Sequence, residues 1–308
     1  MDIDLITNIL YAMVRTGTPL LIVALGEMVC EKSGVLNLGQ EGMMLMGAVV
    51  GFIVTFVTGS LWLGFICAVG AGAIMSLLFA GIALGLNANQ VATGLALTIF
   101  GTGLSAFIGS QYVGRPIEGL DPIYIEGLTD LPIIGRMIFG QDYVVYLSIV
   151  LFAGVYWLFK GTKTGLTLRA VGENPHAANA IGLPVMRVRY LAVLFGGAMA
   201  GLAGGYLSLA YTPLWAENMV AGRGWIALAL VVFASWKAER ILLGAWLFGF
   251  ASIFHLVAQG AGFSVSPNLL AMLPYIATIM VLVILSSNKT KTSLAAPVSL
   301  GKPYHAGH

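Results

Sequence analysis

Apolar runs of near-membrane length follow one another along almost the whole chain, and they limit what it can fold into more than any other feature. A bilayer core needs about 20 apolar residues per helical crossing. Runs of that order occupy 7–27, 42–59, 61–86, 89–109, 143–159, 190–211, 224–236, 241–258 and 271–286. Several are short or interrupted by glycine, so they predict about eight to ten helices or half-helices, broken and re-entrant segments included. Only 9% of the 308 residues are charged, against roughly 25% in soluble domains. The chain therefore reads as an all-α polytopic membrane protein whose solvent is the lipid bilayer. A net charge of +2 gives no basis for binding nucleic acid. Cys30 and Cys67 sit in or beside apolar runs and form no disulfide framework. No cleavable signal peptide is expected, because Asp2 and Asp4 have the wrong sign for a basic leader.

Charge in the loops predicts orientation. Residues 160–189 hold Lys160, Lys163, Arg169, Arg187 and Arg189 against Glu173 alone, and Lys237 and Arg240 fill the link 237–240. Residues 110–142 instead carry Glu118, Asp121, Glu126, Asp130 and Asp142 against Arg115 and Arg136. Positive loops stay in the cytoplasm, so 160–189, 237–240 and the C-terminus are expected inside and 110–142 outside. The domain expectation is one transmembrane unit, 1–286, followed by a mobile tail, 287–308, which is polar and poor in aromatics. Arg15 interrupts the first run and is expected to face the bundle or snorkel. Arg223 opens the run at 224 and can snorkel or pair with Glu217. The lone His255 is expected to be a hydrogen-bonded interior residue. Gly197, Gly201 and Gly205 form tandem small-x-x-x-small spacings that admit a neighbouring helix of the same bundle.

One stretch breaks the apolar pattern early. In "EKSGVLNLGQEGMMLMGAVV", 31–50, eleven polar or glycine-broken residues separate two greasy runs. Irregular backbone at membrane depth is tolerated only inside protein or along a water-filled path. A charge at mid-bilayer costs about 2.5–3.5 kcal/mol on insertion scales, so Glu41 should face protein. Two placements follow. Glu41 caps the helix that starts near Gly42, favoured by its dipole, or the break re-enters and brings Asn37 and Glu41 to a translocation path. A second polar patch, "NANQVATGLALTIFGTGL", 87–104, sets Asn89, Gln90 and Thr98 along a segment whose amides and hydroxyl suit an uncharged solute. Amides at a helix end would look the same.

Within the basic loop, "GENPHAANAIGLP", 172–184, encodes a short capped helix over 174–182. Asn174 is a good N-cap and Pro175 suits the first helical position. Gly182 can take the left-handed conformation that ends the helix. Two turns are marginal alone in water, so this helix must pack on its own bundle, on headgroups, or in the groove of a soluble partner.

The stretch "GLTLRAVGENPHAANAIGLPVMRVRYLAVLFGGAMAGLAGG", 165–205, resembles the cytoplasmic loop of permease subunits of bacterial ABC importers, in the branched-chain amino acid, ribose and nucleoside permease superfamily. The stretches 26–48, 87–104 and "ENMVAGRGWIALALVVFASW", 217–236, resemble the same family, the first most closely in its nucleoside and simple-sugar branch. After the last, "ASWKAERILLG" departs from the family's Gly-x-x-x-Pro turn. The resemblance makes 174–182 a coupling helix seated in an ATPase subunit. Glu173, Asn174, Pro175, Ala178 and Gly182 fall at coupling-motif positions, with Arg169 and His176 in the same docking loop.

The resemblance further implies an ABC ATPase subunit, a second permease subunit that is a different homologous chain, an external solute-binding protein, and a place in the bacterial cell membrane. This chain has no GxxxxGK[ST] phosphate loop. It is expected to bind no cofactor and to catalyse nothing, with ATP and Mg held by the partner. The expected cargo is a neutral solute, first a nucleoside, moved past Asn37, Glu41, Asn89, Gln90 and Thr98. The alternatives are a simple sugar, or a different machine altogether, an ion-coupled carrier.

Overall fold

The computed structural model of the chain describes residues 3–131, 134–260, 272, 276, 280 and 296–305. Among these, regular structure is helical apart from isolated bridges joining Val113 to Trp215 and Pro116 to Leu214. The elements are α1 (Ile3–Lys32), α2 (Gln40–Thr58), α3 (Leu61–Ala80), α4 (Gln90–Gly109), α5 (Ile134–Phe139), α6 (Tyr143–Gly161), α7 (Lys163–Glu173), α8 (Pro175–Ala180), α9 (Val185–Tyr206), α10 (Arg223–Phe233) and α11 (Ala238–Gly260). Six helices among the described residues are long and apolar enough to cross a membrane. The protein is a multi-pass, all-α membrane protein, as its apolar runs require.

Local chemistry sets the boundaries. Gly59, with φ of +70°, ends α2, and Ser60 caps α3 by accepting from the Leu63 amide. Asn89 caps α4, Asp142 caps α6, Thr162 caps α7 and Asn174 caps α8. The last turns beyond α3 and α9, Gly81–Gly85 and Leu207–Tyr211, widen into π-helix. Such turns are rare and frequently lie at functional sites.

Helices α1, α2 and α9 form the interior; α3, α4 and α6 wrap it with one face outward. Ile66, Ile74, Ile99, Phe107, Val150 and Trp157 lie exposed on that outer surface. In water such a surface would be costly; against lipid it is the solvated one. Two ends of the bundle are distinguishable. Asn8 at the start of α1 accepts from Arg136 of the acidic loop, whereas Gly172 of the basic loop packs on the backbone of Lys32 at the end of α1.

The small residues of α9 do what their spacing predicts. A Cβ on Gly197 would strike Ser76 and Gly72, one on Gly201 the Ala68 and Gly72 backbone of α3, and one on Gly204 the Met44 backbone of α2. Without a hydrophobic drive between helices in lipid, this close backbone packing is the main adhesive.

Three expectations change. The run 224–236 does not cross: α10 has 11 residues, about 16 Å of helix, and ends where Ser235 and Trp236 turn left-handed. The first run extends to Lys32 instead of stopping near 27, because Glu27 and Glu31 find partners inside the protein. The tail is not free over 296–305, where Ser299 and Tyr304 are buried against the body. The run 271–286, apart from residues 272, 276 and 280, and the side chain of His255 fall outside the described residues. Replacing Gly201 with Val is expected to lower the melting temperature of the detergent-solubilised protein, since overpacking costs about 1–3 kcal/mol. Gly103→Ala, whose methyl meets nothing within 4 Å, should not; size-exclusion fluorescence after heating reads both.

Candidate functional site

The break between α1 and α2 is buried for most of its length. Its backbone is therefore cut off from water and must be satisfied from within. Glu27, one turn before Glu31 on α1, supplies much of what is needed. Its Oε1 accepts from the Asn37 amide at 3.2 Å, and its Oε2 from the side-chain amide of Gln40. Asn37 turns the chain by accepting from the Gly39 amide at 2.9 Å and places its own Nδ2 on Met43 Sδ. From α4, Gln90 Oε1 accepts from the Leu36 amide at 2.9 Å, and Thr98 Oγ1 donates to the Leu38 carbonyl at 3.0 Å. Glu31 accepts from the indole N–H of Trp236. Two buried amide atoms are left over, Gln40 Oε1 and Gln90 Nε2: one acceptor and one donor, beside the same break.

Glu41 neither faces lipid nor caps its own helix. Gly39 precedes α2 with no side-chain cap, and Glu41 reaches a segment about 180 residues away. Its two oxygens accept from the amides of Gly222 and Gly224, each at 2.7 Å. These amides open α10, so the carboxylate sits at the positive end of a half-helix. Gly222 holds φ at +82°, which glycine alone adopts cheaply, and a Cβ on Gly224 would collide with Glu41 itself. Thus two discontinuous segments, 33–39 and 212–222, meet through one buried side chain.

The opposite end has its own buried charges. Arg15 Nε lies 3.5 Å from Asp142 Oδ2, its Nη2 donates to the Ala210 carbonyl at 2.9 Å, and the Tyr206 hydroxyl donates to Asp142 at 3.2 Å. Arg15 thus faces the bundle. Arg223 donates to the carbonyls of Met219 and Val220 and lies over the Tyr211 ring, so its partners are local carbonyls and a ring. In the acidic loop, hydrogen bonds to the Asp130 carboxylate hold the Tyr124 phenol above its ordinary pKa.

In the basic loop, α8 forms where the sequence predicts it. Asn174 Oδ1 accepts from the Ala177 amide at 3.0 Å, and Gly182, with φ of +85°, lets the Leu183 amide return to the Ala178 carbonyl. Pro175 and Ala178 point inward and are buried. His176, Ala177, Asn179, Ala180 and Ile181 are exposed, with Glu173 and Arg169 beside them; Arg169 donates to the Phe159 carbonyl at 2.8 Å. The helix therefore has a packed face and an open one.

Of the predicted residues, the structure gathers Asn37, Gln90 and Thr98 around one break and places Glu41 at its far side. Asn89 stands apart, exposed, as the cap of α4, its Oδ1 accepting from Ala92. Sequence reasoning missed Glu27, Arg189 and Trp236. The signal for Glu27 was its spacing: like charges four residues apart destabilise an exposed helix, so Glu27 and Glu31 together indicate an interior polar face. Among the described residues no three His, Cys, Asp or Glu side chains converge as a metal site.

Exchange of Glu41 for Leu would orphan both α10 amides. Hydrogen bonds to charged acceptors contribute about 1.5–3 kcal/mol, so amide exchange at Gly222 and Gly224 should accelerate by an order of magnitude or more, with Glu41→Gln intermediate. Unchanged exchange would show that α10 keeps its N-terminus without Glu41.

Comparison with known proteins bears on what this arrangement serves. The family described as "Branched-chain amino acid transport system / permease component" matches residues 9–285. A putative glucose ABC transporter permease of Haloferax volcanii is 40% identical over 97% of both chains. A guanosine ABC transporter permease of Bacillus subtilis is 34% identical over 92% of this chain and 93% of its own. A nucleoside ABC transporter permease of Lactococcus lactis is 30% identical, covering 86% and 88%.

Proposed function

The chain belongs to the family of branched-chain amino acid transport permease components and is an ABC permease, and we propose that it carries a neutral solute, first a nucleoside, through the cell membrane by alternating access. In this reading it is the membrane-spanning importer subunit. ATP and Mg are bound and hydrolysed on a partner ATPase, and a second, homologous permease and an external solute-binding protein complete the machine. The ends carrying 160–189, 237–240 and the tail face the cytoplasm, and 110–142 faces outside.

The observation that carries the reading is α8. A two-turn helix capped at both ends, buried along Pro175 and Ala178 and open along His176, Ala177, Ala180 and Ile181, is built to be pushed. Its motion has a route inward, since Gly172 lies on the Lys32 backbone at the end of α1, one residue from the polar break. ATP-driven closure of the partner would move α7 and α8 together and so displace the break. An ion-coupled carrier fits neither the family nor the carboxylates: Glu27, Glu31 and Glu41 are held by amide and indole donors.

For the solute, the unengaged acceptor of Gln40 and donor of Gln90 leave one polar atom of each kind beside the break, which an uncharged, hydrogen-bonding solute could satisfy without charge. The guanosine and nucleoside permeases among its relatives support a nucleoside. The glucose permease supports a simple sugar, whose hydroxyls also satisfy both atoms. Competition between labelled guanosine and excess glucose, in proteoliposomes holding all subunits, separates the two: guanosine uptake that glucose does not reduce supports the nucleoside.

Coupling is tested independently. The pair Asn174→Ala and Pro175→Gly removes a cap worth about 1 kcal/mol and the stiff entry, leaving the bundle untouched. Uptake should fall about tenfold or more while ATP hydrolysis continues. Wild-type uptake and solute-stimulated hydrolysis would exclude α8 as the coupling element.

A further inference from the structure

The tail, expected to be mobile, is the packing partner that α8 needs. Tyr304 is buried in one apolar cluster with Val171 of α7, Ala178 of α8 and Val185 of α9. The His176 ring lies 5.1 Å from the Tyr304 ring, and the Arg189 guanidinium lies over it at 5.6 Å. Five residues earlier the chain is tied to α7: the Ser299 amide and hydroxyl both donate to the Gly172 carbonyl, at 3.0 and 2.6 Å. Two residues after Ser299, the Gly301 amide donates to the Gly34 carbonyl at 3.2 Å, inside the α1–α2 break.

Arg189 closes the circuit. Its side chain is fully buried; Nε donates to the Ser33 carbonyl at 3.2 Å and Nη2 to Ser299 Oγ at 3.2 Å. A buried cation needs internal partners to offset lost hydration, and a ring face is one of them. The partners of Arg189 are the break, through Ser33, and the tail, through Ser299 and Tyr304. The tail thus contacts α7, α8, α9 and the break at once. If α7 and α8 moved together while the break stayed, the Ser299–Gly172 or the Gly301–Gly34 bond would have to part.

We propose that Ser299 and Tyr304 are positioning residues for coupling: segment 296–305 clamps α8 to the α1–α2 break so that displacement of one is delivered to the other. This rests on the reading of α8 as the element the ATPase drives. A tail that merely covered apolar surface would need Tyr304 alone. It would not need hydrogen bonds to two backbone carbonyls, Gly172 and Gly34, from two separate parts of the chain.

The test compares four forms of the full complex in proteoliposomes: Tyr304→Ala, Tyr304→Phe, Ser299→Ala, and the chain ended after residue 295. Retention of the ATPase subunit, ATP hydrolysis, and uptake of labelled guanosine and of labelled glucose are read for each. Solute moved per ATP should fall about tenfold in Tyr304→Ala and in the shortened chain, with hydrolysis retained. Tyr304→Phe, which keeps the ring, should match wild type, and Ser299→Ala should be intermediate. An unchanged ratio in Tyr304→Ala and in the shortened chain, while the Asn174→Ala, Pro175→Gly pair uncouples, overturns the clamp and leaves the role of α8 standing. Wild-type behaviour of that pair overturns both. If the shortened chain loses its ATPase subunit, Ser299→Ala decides: a lowered ratio in an intact complex supports the clamp, and a wild-type ratio refutes it.

Discussion

A backbone that leaves the helix inside hydrocarbon has no water to turn to, and each of its amides and carbonyls must be satisfied by the protein. Among the described residues, segments 33–39 and 212–222 leave the helix, the first of them buried for most of its length, and Glu41 connects them. Its carboxylate satisfies the opening amides of α10, while Glu27, Asn37, Gln90 and Thr98 satisfy the segment before α2. A shift that withdraws Glu41 leaves both a carboxylate and a helix end in need of new partners. The rest of the bundle is organised so that the two breaks can face each other.

That organisation rests on contrast between middle and ends. At its centre α9 is pressed onto α2 and α3 through glycine, backbone to backbone, an arrangement with little room to slide. Polar and charged groups collect at the ends, with Arg15, Asp142 and Tyr206 at one and Glu27, Glu31, Trp236 and Arg189 at the other. Hydrogen bonds can be exchanged for others of similar energy, whereas interlocked backbones cannot be separated without opening a void. Rearrangement is therefore easier at the ends than in the middle.

How much of this was legible follows the distance between cause and partner. The cap, proline and terminal glycine of α8 act within nine residues, and the helix lies where they put it. That Glu41 must face protein follows from its charge alone. What it faces does not, since Gly222 and Gly224 are about 180 residues away and their segment reads as an ordinary apolar run until the left-handed Ser235 and Trp236 cut it short. Glu27 was hidden for the same reason: its partners lie across the break. The tail misled through composition. A polar segment poor in aromatics reads as solvated, but over 296–305 one tyrosine and one serine against a buried arginine, with the Ser299 and Gly301 amides on the Gly172 and Gly34 carbonyls, hold it.

These distances also say where compliance lies. The half-helix α10 packs on α1, α2 and α11, but its N-terminus is held by a single side chain, whereas α9 is fixed by successive glycine contacts over several turns. The bond between Glu41 and α10 is charge-assisted, strong when aligned and sensitive to angle. A rotation of α2 of even a fraction of a turn would misalign two hydrogen bonds at once and release the positive end of α10 toward whatever polar group is near. Since α2 starts at the break that the basic loop touches through Gly172 and Lys32, a push on α8, in the proposed reading, would reach Glu41 through seven residues of non-helical chain. On the reading proposed above, solute passage requires an element that can be closed by two short bonds and opened by a small rotation. The meeting of α2 and α10 has that character, and the glycine-packed interior does not.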